Sequence, residues 1–425
     1  MNIFKDNKFI SGTGVYLFSN IINAMIPFIL LPILTRYLSP EEYGQVAMFQ
    51  TLLGALGAFV GLAFVGAASR KYYDSDLSRA ELSEFIGSCI QLSLISSILV
   101  FIIIFIFQSQ FSAWLALEPI HIFFAILVSF SSVVISLRLG QWQVRKKAIH
   151  YGVLQIAQGL LNMLLSLLFV VMLLEGVNGR INAQTIANII FLVITLFLLN
   201  KEGLIKFFTW RKDYIAEVLR FGSPLIPHIA GGVLLLSVDR FIINREIGLA
   251  EAGVYMVAVQ LTAVMGIIFD AINKAYVPWL FDNLKVNNYE QNKKIVKLTY
   301  LWFLLILFGV LIVVFIGPWV VLLVAGEKYA QAASVIGWLA LGQGFQGMYL
   351  MVTNYIFFSK RTGMLSLISM TTGLLNLILL ILFIRIIGLE GAAIAFAISM
   401  GVRFLLIWFI ANKRYAMPWF SFFNS

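Results

Sequence analysis

Twelve stretches of predominantly apolar residues follow one another along the chain, each near or above the ~20 residues that let a helix cross a bilayer. They lie near 9–35, 43–68, 84–107, 114–137, 150–174, 181–200, 221–244, 252–275, 298–324, 330–357, 362–387 and 390–411. In hydrocarbon every backbone N–H and C=O must find its partner inside the protein, so stretches of this length fold as α-helices. The longest connectors, about 20 residues, lie around 201–220 and 276–297, well short of the ~50 residues of an independent soluble domain. Only 12% of the 425 residues are charged, about half the share of a soluble domain. These properties predict an all-α polytopic membrane protein that acts within its spans.

The first stretch follows Lys5 and Lys8 and runs through Pro27 and Pro32 to Arg36. It is too long for the ~7–15-residue core of a secretory signal and reads as a retained span. With the N-terminus in the cytoplasm and twelve alternating spans, 24 of the 30 Lys and Arg fall on the cytoplasmic side and 6 on the other. That asymmetry is the positive-inside pattern and places both termini in the cytoplasm. It also absorbs most of the +10 net charge, so nucleic acid is not an expected partner. The lone Cys89 and the scattered His121, His150 and His228 argue against a disulfide framework or a His/Cys metal site. Gly342-Gln343-Gly344-Phe345-Gln346-Gly347 matches a dinucleotide-binding pattern, but it lies mid-span rather than after a strand, so it is not a nucleotide site. Walker loops, catalytic triads and H-E-x-x-H sites are lacking in the sequence, so neither an enzyme nor a cofactor is expected.

The two halves resemble each other. Shifted by 209, Thr35-Arg36 through Glu42-Tyr43-Gly44 falls on Asn244-Arg245 through Glu251-Ala252-Gly253. Shifted by 214, Lys146-Lys147 falls on Lys360-Arg361, and Gly159-Leu160-Leu161-Asn162 falls on Gly373-Leu374-Leu375-Asn376. Six spans per half is an even number, so both halves enter from the same side, as in a parallel transporter repeat. The expected organisation is a six-helix lobe over 1–200, a cytoplasmic linker over 201–220 and a second six-helix lobe over 221–425.

An ionisable group in hydrocarbon costs at least ~2.5 kcal/mol on insertion scales, so it normally faces a cavity or a partner. Asp239 and Asp270 are the two acids placed inside spans. His228 lies eleven residues before Asp239, near three helical turns, and Lys274 follows Asp270 at i,i+4. Each acid is open to two readings, a structural ion pair or an ion-coupling site. Uncharged polar residues recur at helical spacing in several spans: Thr13, Tyr16, Asn20 and Asn23; Gln155, Gln158, Asn162 and Ser166; Ser366, Ser369 and Asn376; Gln343, Gln346 and Asn354. Interhelical hydrogen bonding accounts for many such residues. A water-filled lumen suited to sugars explains several stripes at once. Gly54, Gly57, Gly61 and Gly66 make the second span a close-packing element.

The run Leu31-Pro32-Ile33-Leu34-Thr35-Arg36-Tyr37-Leu38-Ser39-Pro40-Glu41-Glu42-Tyr43-Gly44 resembles the opening signature of polysaccharide flippases. These are the O-antigen (Wzx-type) transporters of the multidrug/oligosaccharidyl-lipid/polysaccharide superfamily. Val238-Asp239-Arg240 through Gly253-Val254-Tyr255 and Ala275-Tyr276-Val277-Pro278-Trp279 are similar to later segments of that family. The resemblance implies two six-helix lobes around a cationic lumen in the bacterial inner membrane. It implies translocation of undecaprenyl-diphosphate-linked oligosaccharide to the periplasmic leaflet, as in O-antigen and lipopolysaccharide synthesis. Lipid-linked oligosaccharide, membrane lipids and a glycan polymerase or ligase machinery are the implied partners. Motif match carries over Arg36, Asp239 and Arg240, and the internal repeat adds Arg245. Diphosphate or lumen candidates are then Arg36, Arg240, Arg245, Lys274, Asn20, Asn23, Asn162, Gln343 and Asn376. Ion-coupling candidates are Asp270, Asp239 and His228. Arg138 and Arg403, noted from the residues alone, either join the lumen or snorkel to the surface. A drug or cation antiporter of the same superfamily is the alternative; it calls for acids rather than bases in the lumen.

Overall fold

The computed structural model describes residues 7–61, 64–74, 78–206, 209–223, 226–286, 288–359 and 363–419. Lys5, Lys360 and Arg361, and the side chains of Lys8, Thr13 and His228, lie outside the described residues. Every regular element among those described is helical, and the chain divides into two compact units, Met1–Ala230 and Gly231–Ser425.

The first unit contains α1 (Asn7–Tyr37), α2 (Pro40–Gly61), α3 (Phe64–Lys71), α4 (Arg79–Ile106), α5 (Gln108–Leu115), α6 (Pro119–Val144), α7 (Ala148–Ser166), α8 (Gly176–Lys201) and α9 (Lys212–Gly222). A π-helical turn over Leu167–Met172 continues α7. Here α1 packs on α7, while α6 packs on α2 and α8. The helix α10 (Ile226–Leu236) straddles the boundary, and the second unit holds α11 (Val238–Glu246), α12 (Leu249–Val286), α13 (Tyr289–Ala325), α14 (Ala332–Phe358), α15 (Gly363–Ile387) and α16 (Leu389–Arg414). Its core is α14, packed against α12, α13 and α16.

Eleven of the described helices are long and apolar enough to cross a membrane. Their outer faces carry large bare hydrophobics, such as Ile98 and Phe105 on α4 and Phe308, Phe315 and Trp319 on α13, a surface that water would not tolerate over this extent. The exception is the seventh expected span, over 221–244. It is not one helix but two short ones, α10 and α11, parted at Ser237 (φ −137°, ψ −22°). The three-turn register between His228 and Asp239 therefore does not hold, since the break lies between them. The cause lies in the residues: Val238-Asp239-Arg240 brings two adjacent charges into an apolar stretch, and they bond to backbone groups that a continuous helix would use internally.

Both long connectors contain helix. The 276–297 segment belongs to α12 and α13, which meet near residues 287–288. Pro278 is accommodated inside α12, while Leu280, Leu284, Ile295 and Val296 enter the core of the second unit. The 201–220 segment carries α9, whose Val218 is fully buried and whose Tyr214 ring meets Phe85 of α4 edge-on at 5.6 Å.

Candidate functional site

The Leu31–Gly44 run ends in a helix start. Ser39 precedes α2, Pro40 takes its first position, and the Glu42 carboxylate accepts the Ser39 N–H at 2.8 Å. In return the Ser39 hydroxyl accepts the Glu42 N–H at 3.2 Å. This capping box satisfies two of the helix's free donors and fixes where Tyr43, one residue on, points. Tyr43 is buried and lies within electrostatic range of Arg180.

Arg180 is a candidate that spacing did not single out. The sixth span was expected to begin at 181, whereas α8 starts at Gly176 and carries Arg180 a full turn inside. It is buried, and its Nη1 donates to Asn162 Oδ1 at 3.1 Å and Ser166 Oγ at 3.3 Å. Its Nε has no acceptor, and it makes no ion pair among the described residues. A buried guanidinium held only by an amide and a hydroxyl keeps donors available for an anion. The signal for it was the Asn162–Ser166 stripe, one face of α7.

Other stripe residues bind each other. Asn20 Oδ1 accepts from Tyr151 Oη at 3.2 Å and Gln155 Nε2 at 3.0 Å, tying α1 to α7. Asn188 Oδ1 accepts from Gln158 Nε2 at 3.2 Å, and Gln50 Nε2 donates to Gln184 Oε1 at 2.8 Å. Asn23 packs on Gly159 of α7, and Gln343 of α14 packs on Gly266 of α12. Asn376 is buried; its Nδ2 donates to Leu234 O at 3.1 Å while its Oδ1 has no donor. Beside this network the first unit holds an open cleft of about 330 Å³, lined in part by Gly57, Gly61, Ser129, Ser132, Ser136 and Gln184.

At the α10–α11 break, Asp239 and Arg240 are both buried. Arg240 Nη1 donates to Leu236 O at 2.7 Å, capping the last turn of α10. Asp239 Oδ1 accepts the Arg240 N–H at 2.9 Å at the start of α11, and the two side chains lie 3.6 Å apart. The other carried-over arginines differ, because Arg36 and Arg245 are exposed. Lys274 Nζ meets Asp270 Oδ2 at 2.6 Å, with both side chains about half exposed (48% and 51%). Arg385 Nε meets Glu246 Oε2 at 3.0 Å. Arg138 and Arg403 are both buried. Arg138 is fully buried, stacked 4.1 Å over Trp142 and bonded to Glu202. Arg403 is buried 4.2 Å over Tyr349 and donates to Gln346 Oε1 at 3.3 Å. The Gly342–Gly347 pattern lies wholly inside α14.

Eleven long apolar helices with buried guanidinium groups and stripes of amides define a polytopic helical membrane protein. Residues 9–284 match the family model described as polysaccharide biosynthesis protein, and the chain belongs to that family. Among curated relatives, a protein of the Lsg locus of Haemophilus influenzae is 28% identical over 377 residues, covering 86% of this chain and 87% of its own length. The low-salt glycan biosynthesis flippase Agl15 of Haloferax volcanii is 22% identical over 412 residues, covering 91% of this chain and 80% of its own. In fold, the chain matches an inward-facing multidrug resistance MATE transporter of the MOP superfamily (TM-score 0.76, 16% identity, 92% of this chain and 94% of that one). It also matches the lipid II flippase MurJ in an inward closed conformation (TM-score 0.74, 15% identity, 95% and 87%).

Proposed function

We propose that the protein is a flippase that carries undecaprenyl-diphosphate-linked oligosaccharide units from the cytoplasmic to the periplasmic leaflet of the bacterial inner membrane, with both termini in the cytoplasm. It is a transporter of lipid-linked glycan and not an enzyme. It works by alternating access and draws on an ion gradient. The observation that carries this reading is an imbalance of buried charge. Among the described residues Arg138, Arg180, Arg240 and Arg403 are buried, against the single buried carboxylate Asp239, which Arg240 engages. A drug or cation antiporter would require buried acids to hold its cargo. Buried arginines instead suit a diphosphate, which a guanidinium binds through paired hydrogen bonds. On this argument Arg240 remains a diphosphate candidate and Arg180 joins it, whereas Arg36, Arg245 and Lys274 are exposed and are candidates from the sequence alone.

Reconstitution in proteoliposomes tests the proposal. Lipid-linked oligosaccharide in the outer leaflet should become inaccessible to an added glycosidase at a protein-dependent rate, and Arg180→Gln should slow that rate at least about tenfold, the loss of a charge-assisted hydrogen bond. Proton-coupled efflux of organic cations without glycan flipping would establish the antiporter instead. Asp270→Asn should flatten the pH dependence of flipping; an unchanged profile would remove Asp270 from coupling.

A further inference from the structure

Several basic side chains of the first unit converge where α3 and α6 end, α4 begins and α8 ends. They surround one carboxylate, Glu202, the residue just beyond α8. Arg138 Nη2 donates to Glu202 Oε1, and Arg79 Nη2 donates to the Glu202 carbonyl. Arg145 Nη1 and Lys147 Nζ each lie 3.9 Å from Glu202 Oε2. Three cations thus share one carboxylate among the described residues, and Arg79 holds the carbonyl of the same residue. Arg79, Arg145, Lys147 and Glu202 border an open pocket of about 530 Å³ together with Tyr72, Ser78 and Leu82, and Arg138 is buried behind Glu202.

The arrangement is more than a ring of surface bases. Arg138 is fully buried, yet its Nε and Nη1 have no acceptor, and neither does the buried Nε of Arg145. The planes of these groups are set by aromatic rings, Arg138 over Trp142 at 4.1 Å and Arg145 beside Tyr72 at 5.6 Å. Preset guanidinium groups lose little freedom when an anion arrives. The surrounding acids are engaged elsewhere. Glu84 holds Lys206 at 3.0 Å and Arg211 at 3.5 Å, Asp74 and Glu217 both hold Lys71 at 3.0 Å, and Glu81 caps α4 through Ser78. Burial opposes charge on Glu202, but the Arg138 hydrogen bond and the fields of Arg138, Lys147 and Arg145 outweigh it and hold the carboxyl below its ordinary value. Even with Glu202 ionised, the four bases leave a surplus of three positive charges.

We infer that this pocket is a binding site for a phosphate group, distinct from the diphosphate candidates Arg36, Arg180, Arg240, Arg245 and Lys274, in which Glu202 partly fills the place of the anion. Arg79, Arg145 and Lys147 supply the charge, and Ser78 and Tyr72 line the same space. Its volume accepts a phospholipid headgroup as well as a free inorganic phosphate. Basic pockets at the ends of membrane helices suit anionic headgroups.

The test uses the full chain in phosphatidylcholine nanodiscs. One arm adds phosphatidylglycerol at increasing mole fraction and counts retained lipids by native mass spectrometry. A second arm titrates inorganic pyrophosphate and follows Trp fluorescence, since Trp142 lies under Arg138. Saturable binding in either arm is expected, weakened about tenfold by Arg145→Gln with Lys147→Gln and tightened by Glu202→Gln. Response to phosphatidylglycerol alone assigns a lipid headgroup, and response to pyrophosphate assigns a free anion. No saturable binding in either arm overturns the inference, and so does binding that Glu202→Gln leaves unchanged, a readout that does not depend on the double variant folding. Both readouts report binding rather than transport, so failure here leaves the flippase proposal standing.

Discussion

The first and seventh apolar stretches carry different interruptions and respond to them differently. α1 contains Pro27 and Pro32 and still runs unbroken to Tyr37. The seventh apolar stretch parts into α10 and α11 at Ser237. A proline removes one backbone donor, a local loss that a long helix absorbs through its neighbours. Asp239 and Arg240 do more, because each supplies a competing partner for the backbone. The carboxylate takes the Arg240 N–H and the guanidinium takes the Leu236 carbonyl. A break in a membrane helix is thus stabilised by side chains that satisfy the groups it exposes. The same residues bring a charge pair into the interior of the second unit.

The largest expected effect comes from separating that pair. Arg240→Leu leaves Asp239 buried without its cation and Leu236 O without its donor. Thermal unfolding in detergent should show a loss of about 3–5 kcal/mol. Asp239→Leu combined with Arg240→Leu should recover most of it; a double variant as unstable as the single one would mean that the pair is not the source.

The next test uses the glycines at which each of these two stretches crosses a later helix. A Cβ on Gly373 of α15 would stand 2.7 Å from Gly231 O and 3.3 Å from Gly231 Cα, backbone that cannot move aside. A Cβ on Gly159 of α7 would meet the tips of Ile26 and Asn23 on α1, which rotate away more easily. Gly373→Ala should therefore cost about 1–3 kcal/mol and Gly159→Ala under ~1 kcal/mol, by the same unfolding assay. Equal losses would show that the two crossings are equally rigid. The smallest effect belongs to Asp270→Asn. Its pair with Lys274 is half exposed and should change stability by under ~1 kcal/mol, which makes it a clean variant for the pH-dependence measurement.

Much of this architecture is legible in the residues, because span length and apolar composition are local properties. Hydropathy marked the 221–244 region correctly as apolar, but an average over such a window does not register a single Ser-Val-Asp-Arg break. The 276–297 segment was read as a connector because its charges dilute its hydropathy. Its buried Leu280, Leu284 and Ile295 face one side only, and that face matters once the core of the second unit exists to receive it. The polar stripes were visible, yet what each residue touches depends on helix register, a tertiary property. Asn20 is bound by its neighbour helix, whereas Asn162 presents its carbonyl to Arg180. Arg180 itself was hidden by an expected helix start five residues too late.

The segmented span also has a consequence for how the protein is made. α11 holds Asp239, Arg240, Arg245 and Glu246 within nine residues, and an insertion machine that releases helices one by one charges roughly 2.5–3.5 kcal/mol for each such group near the bilayer centre. The helices that α11 packs against are α12, α15 and α16, and α15 begins roughly 120 residues downstream. At about 5–20 residues per second of synthesis, α11 waits on the order of ten seconds for its final neighbours. During that interval it must be sheltered by the translocon or held at the interface, so the second unit closes late and from its C-terminal end. Premature termination before α15 should therefore leave the first unit assembled and the second exposed to quality-control proteolysis.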